Sequence, residues 1–79
     1  MAKLISLGYD NNVNVDKIVA IVSSSASPSK RAVKNAKDKE MLVDATNGNK
    51  TASVIIMESG HVVISALKAE TIRKRTAEL

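Results

Sequence analysis

Residues 42–57 constrain this chain most. Leu42-Val43-Asp44-Ala45-Thr46 is rich in side chains that suit a pleated, half-buried surface. Val54-Ile55-Ile56-Met57 is an unbroken apolar run, the pattern of a strand covered on both faces. Between them stands Asn47-Gly48, the commonest pair where both central residues of a turn need positive φ. The stretch therefore reads as a hairpin whose loop, residues 47–51, carries one cation, Lys50, among small polar groups. Such a tip suits a phosphate backbone or a partner subunit, and it suits a solvated surface turn equally well.

On the amino-terminal side, residues 3–9 alternate as a first strand, and Asp10-Asn11-Asn12 forms a loop cluster. Residues 13–16 read as connection. Residues 17–22 are β-branched and continuous, a strand of central character with Lys17 at its start. Ser27-Pro28 is a helix-start pattern, with the serine as cap and proline in the first turn. The helix runs from residue 28 to residue 38 or 40. Ala32, Val33 and Ala36 share its inner side, and Lys30, Lys34 and Lys37 its outer side, with Arg31 between. The outer row is a solvated face or a nonspecific phosphate contact. Lys30 and Arg31 also oppose the helix dipole in the first turn. Glu58-Ser59-Gly60 turns into a returning strand over residues 61–66, so residues 42–66 read as an antiparallel meander. Residues 68–79 form a terminal helix. The whole is α+β, with a small antiparallel sheet of about five strands in the order β-β-α-β-β-β-α.

A chain of 79 residues fits one domain, residues 1–79, with a thin core. It has no Cys, Trp or Phe and one Tyr, so Val, Ile, Leu, Ala and Met must fill that core. A small fold of this kind gains from self-association. The net charge is +4 and the pI near 9.6, which favours polyanions: nucleic acid or an acidic membrane surface. One Tyr makes no stacking platform for single strands. Double-stranded DNA, read through backbone and shape, is the better fit. No targeting or membrane-spanning run is visible, so the expected location is the cytoplasm.

Catalytic and metal chemistry find little footing. Asp44 in a strand suits capping of backbone amides or pairing with a lysine. His61 is a lone histidine with no acidic cluster beside it. The serines at 23, 24, 25 and 27 have no histidine near them in sequence and no nucleophile-elbow pattern. The expectation is a protein that is not an enzyme and needs no cofactor or metal.

Gly8-Tyr9 with Asn11, Lys30-Arg31 after Pro28, Val43-Asp44-Ala45-Thr46 with Gly48 and Thr51, Val54-Ile55-Ile56-Met57, His61-Val62-Val63-Ile64-Ser65 and Glu70-Thr71 carry a further signal. Over residues 3–75, without gaps, the chain resembles the RemA family of bacterial extracellular-matrix (biofilm) regulators. That resemblance implies a fold similar to LytTR DNA-binding domains. It implies a ring-shaped homo-oligomer, an octamer, that binds promoter DNA (A·T-rich duplex is the expected partner) and regulates transcription of matrix operons. It also implies arginines at the DNA surface, where this chain has Lys17, Asn49 and Lys50, and a further basic residue where it has Ala52. The DNA-facing residues expected here are thus Lys17, Asn49 and Lys50, with Lys30 and Arg31 as secondary contacts. The rival expectation is an oligomeric scaffold of the same fold with weak or no DNA binding.

Overall fold

The computed structural model describes residues 3–79, and its architecture is α+β. Strand β1 (Leu4–Gly8) pairs with β2 (Asn11–Asn14) as a two-stranded hairpin. A single 3-10 turn (Val15–Lys17) leads into β3 (Ile18–Ser23). Helix α1 (Ser27–Asp38) follows, then β4 (Leu42–Asp44), β5 (Ser53–Met57), β6 (Val62–Ser65) and helix α2 (Ala69–Ala77). The second sheet has the order β3-β5-β6-β4, antiparallel except for the parallel pair β4 and β6.

Both faces of this sheet are covered. On one face Ile21, Ile55 and Val63 lie side by side across β3, β5 and β6. They pack with Ile5, Leu7 and Val13 of the hairpin, with Ala45, and with Ile72 of α2. On the other face Val22, Val54 and Ile64 line up in the same way, and Val33 and Ala36 of α1 cover them with Val62 and Leu42. The expected inner side of α1 is therefore the one that packs, and the lysines at 30, 34 and 37 are exposed.

Several expectations are corrected. Residues 42–57 are not a hairpin, and residues 42–66 are not a meander. All four residues of β6 are buried, so β6 takes a neighbour on each side and separates β4 from β5. The chain passes over the end of β6, held by Ala45 N–H to the Ile64 carbonyl at 2.9 Å and Ala52 N–H to the Ser65 carbonyl at 2.8 Å. Asn11 and Asn12 belong to a strand, not a loop, because they pair with Gly8 and Ser6. The apolar stretch from Ile18 lies at a sheet edge rather than at its centre, with Val19 67% exposed. Lys17 belongs to the 3-10 turn before it. Finally, Ser27 does not cap α1. Ala26 occupies the cap position without a side-chain bond, and Ser29 instead donates its hydroxyl to the Ser23 carbonyl at 2.6 Å.

Candidate nucleic-acid interface

The loop of residues 45–52 is built from short local bonds. The Asp44 carboxylate accepts the Thr46 hydroxyl at 2.6 Å and the Thr46 amide at 2.8 Å. These two bonds, the hydroxyl first, hold the Asp44 carboxyl below the usual aspartate range, because both favour its charged form. The reading of Asp44 as a cap is met, and the bonds end β4 at this residue. Asn47 and Gly48 then have φ of 53° and 81°, and the Asn49 amide closes the turn on the Thr46 carbonyl at 3.0 Å. The positive φ read from Asn47-Gly48 is present, although the strands it joins are not neighbours.

Asn49 and Lys50 follow this rigid turn, both exposed. The Asn49 side-chain amide donates to the Thr46 carbonyl at 3.0 Å and to the Tyr9 hydroxyl at 2.8 Å. Tyr9 is thus a member of the site that reading the sequence missed. It sits in the β1–β2 turn, where Gly8, Tyr9 and Asp10 have φ of 92°, 53° and 63°. A tyrosine in the left-handed region carries backbone strain, whereas aspartate enters it more readily. Asn11 steadies the turn through its side-chain amide, bonded to the Gly8 carbonyl at 3.1 Å and the Tyr9 carbonyl at 3.2 Å. The hints in the sequence were Tyr9 itself, the one residue among Phe, Trp and Tyr, and the place of Gly8-Tyr9 with Asn11 in the family resemblance.

The start of α1 lies at the same end of the sheet. Ser24 bonds the loop twice, through its hydroxyl to the Thr51 carbonyl at 3.0 Å and through its amide to the Ala52 carbonyl at 3.2 Å. Lys30 borders a cavity of about 260 Å³ with Ser24, Ser29, Val33, Thr51, Val54 and Ile64. Arg31 is exposed one position further along the helix. Four of the five expected contact residues, Asn49, Lys50, Lys30 and Arg31, therefore gather at one end.

Lys17 does not join them. Ser23 is opposite Ser53, and Ile18 opposite Met57, so the residue before Ile18 is at the far end of the sheet. That is about 20 Å away along β3. There Lys17 meets Glu58 at 3.8 Å, with both side chains mostly exposed. Such a pair contributes little and leaves the lysine free to move to another anion. Asn14, Met57, Ser59 and His61 border the same groove, and the Ser59 hydroxyl lies 2.7 Å from His61 Nδ1. Among the described residues no three His, Cys, Asp or Glu side chains come together in a way that could hold a metal. No helix of the described chain is long and apolar enough to cross a membrane.

Comparison with known proteins adds an independent line. The family described as extracellular matrix regulatory protein A-like (RemA-like) matches residues 4–76. A protein of Brevibacillus brevis is 48% identical over 73 residues, which cover 92% of this chain and 85% of that protein. One of Clostridium botulinum is 47% identical over 75 residues, covering 95% and 82%. One of Carboxydothermus hydrogenoformans is 47% identical over 73 residues, covering 92% and 84%. All three carry the name "putative regulatory protein".

Proposed function

The chain belongs to the extracellular matrix regulatory protein A-like family and is a regulatory protein, and from that premise we propose that it regulates transcription of extracellular matrix (biofilm) genes by binding double-stranded DNA as a ring-shaped homo-oligomer. The observation that carries this reading is the gathering of Lys50, Lys30, Arg31 and Asn49 at one end of a chain with a net charge of +4. Each Lys50 enters as a mobile point charge on a rigid turn, suited to phosphate rather than to base edges. Asn49 already uses both amide hydrogens. It reaches a phosphate only by releasing the Tyr9 hydroxyl, an exposed bond of modest worth. That hydroxyl accepts from Asn49 and keeps its own proton to donate outward.

Single sites of this kind are weak. Several on one assembly act on one duplex at high effective concentration, which is how shallow contacts give useful affinity. The test is fluorescence anisotropy of a labelled A·T-rich duplex at low, physiological and high salt. The expected result is binding that survives physiological salt and falls steeply above it. Lys50→Ala is expected to flatten the dependence of log K on log salt by about 0.9 for each phosphate that the lysine had neutralised. Binding confined to low salt refutes the regulator and favours the scaffold. Wild-type behaviour of Lys50→Ala at moderate salt removes the loop from the interface.

A further inference from the structure

The turn that carries Asn49 and Lys50 also holds a reactive pair. Asn47 is followed by Gly48, and both are exposed. Neither the Asn47 side-chain amide nor the Gly48 N–H makes a hydrogen bond within the described chain. A side chain at position 48 would meet nothing within 4 Å, so the peptide joining the two turns in open space. The other asparagines are better guarded. Asn12 and Asn14 precede the branched Val13 and Val15, whose side chains crowd the following nitrogen. Asn35 lies inside α1. The side-chain amides of Asn11 and Asn49 are each held by two oxygens.

The chemistry open to Asn47-Gly48 is attack of a main-chain nitrogen on a side-chain amide. The Gly48 nitrogen gives its proton to hydroxide and bonds to Asn47 Cγ. The bond from Cγ to Nδ2 breaks, and ammonia leaves with a proton from solvent. A five-membered succinimide remains. Water then adds to one of its two carbonyls and opens the ring. Opening at the former side-chain carbonyl leaves aspartate. Opening at the main-chain carbonyl leaves isoaspartate, with the main chain routed through the side chain. Either product has a carboxylate where asparagine was neutral, and nothing is oxidised or reduced. The closed turn restrains the first step. Asn47 has φ of 53°. A left-handed residue has ψ near about +47°, which sets the next nitrogen across the Cα–C bond from Cβ. The Gly48 nitrogen reaches Cγ only after rotation about that bond. Rotation breaks the backbone bond that closes the turn, from the Asn49 amide to the Thr46 carbonyl at 3.0 Å. Opening a loop of exposed residues by one such bond is a local fluctuation of low cost. Gly48 follows the rotation freely, having no side chain to clash.

We infer that Asn47-Gly48 is a self-modification site, where opening of the turn lets asparagine convert to aspartate or isoaspartate, and that the conversion weakens the candidate DNA surface. The first half stands alone, and the second rests on the DNA-binding reading. The product puts a carboxylate on the turn that carries Lys50 and lowers the net charge of +4 by one on every converted chain. Isoaspartate also adds a carbon to the main chain inside the turn. Asn49 then loses its register on Thr46 and on the Tyr9 hydroxyl. A duplex bound at Asn49 and Lys50 holds the turn closed and so protects it. Chains engaged on DNA keep their charge, and idle chains lose it with time.

The full-length protein, incubated at neutral and at mildly alkaline pH, is followed by peptide mass mapping with fragmentation that separates residue 47 from residue 49. Conversion at Asn47 is expected ahead of every other asparagine, and faster at the higher pH, because the nitrogen attacks without its proton. Gly48→Ala is expected to remove that lead. Its turn is strained rather than firmer, so slower conversion there reports the lost freedom of glycine. Asn47 that stays intact while other asparagines convert overturns the site. So does a Gly48→Ala variant that converts as fast as wild type. Saturating A·T-rich duplex is expected to slow the conversion, and equal rates with and without it overturn the protection. In the anisotropy assay Asn47→Asp is expected to bind roughly two- to fivefold more weakly than Asn47→Gly, which is neutral and keeps the positive φ. Equal affinity of these two variants overturns the second half. A wild type that binds no DNA refutes the proposed function and the second half together, and the mass maps alone then decide the first.

Discussion

Ile72→Ala is the sharpest probe of how this small fold holds together. Ile72 is the one buried residue of α2 and is fully inaccessible. It packs in the cluster of Ile5, Leu7, Val13, Ala45, Ile55 and Val63, which joins the hairpin, the sheet and the helix. The substitution removes three carbons, worth about 2.4 kcal/mol at about 0.8 kcal/mol each. The cavity left behind adds to this, giving about 3–4 kcal/mol in all, inside the usual range for buried Ile to Ala. A chain of this length has roughly 4–12 kcal/mol of stability. The loss is thus about a quarter or more, and it lowers the melting temperature by roughly 12–30 °C. Urea unfolding followed by circular dichroism, at fixed chain concentration because assembly adds stability, measures it directly. The midpoint should fall with an unchanged slope. Leu79→Ala, at a position 56% exposed, should do almost nothing. A loss under about 1 kcal/mol for Ile72→Ala would mean that α2 is not packed into the core as described.

Asp44→Asn keeps an acceptor for Thr46 but removes the charge that the two bonds favour. The folded-state pKa of Asp44 is depressed, so its contribution is present above the unfolded aspartate range and is lost as pH falls through the folded value. The stability gap between wild type and variant, read from urea midpoints, should therefore narrow as pH falls from neutral into that acid range, and a gap independent of pH would contradict it. Gly48→Ala places a Cβ in open space at φ 81°, so its cost is backbone strain alone, about 1 kcal/mol. Gly48→Asn should cost less, and equal costs in thermal melts would show that the turn is not held in the left-handed region.

The sequence carried the local chemistry of this fold better than its connections. Both positive φ angles at Asn47-Gly48, the packed side of α1 and the capping role of Asp44 follow from residue type, because each is decided within a few residues. Strand order is decided at longer range. Val54-Ile55-Ile56-Met57 and Val62-Val63-Ile64-Ser65 look alike as runs, and nothing local to either says that β6 would stand between β4 and β5. The continuous run from Ile18 looked central for the same reason, since apolar continuity does not tell a covered strand from an open edge. Ser27-Pro28 offered a cap, but Ser29 hydrogen-bonds Ser23 and so ties the helix to the end of β3. At the candidate site, residue types pointed to Lys50, Asn49, Lys30 and Arg31. The bond between Tyr9 and Asn49 joins residues forty positions apart, and no pattern in the chain announces it.

The loop also allows a direct test of whether it faces DNA, through the position where the family resemblance implies an arginine and this chain has Asn49. Asn49→Arg adds one cation and keeps the backbone bond that closes the turn, since the amide of residue 49 makes it and Asn47-Gly48 is unchanged. The variant gives up two side-chain bonds, to the Tyr9 hydroxyl and to the Thr46 carbonyl, each worth about 1 kcal/mol. In return the guanidinium offers a planar fork to phosphate and enters a narrow minor groove more readily than lysine. If the loop faces DNA, the salt dependence of binding steepens by about 0.9 in log–log slope for each further phosphate neutralised. Affinity then rises most at low salt. The gain should multiply with assembly, since every copy in a ring carries the same added charge to one duplex. An unchanged slope, with folding intact by circular dichroism, would mean that this end of the molecule does not meet the DNA, whatever the net charge of the chain.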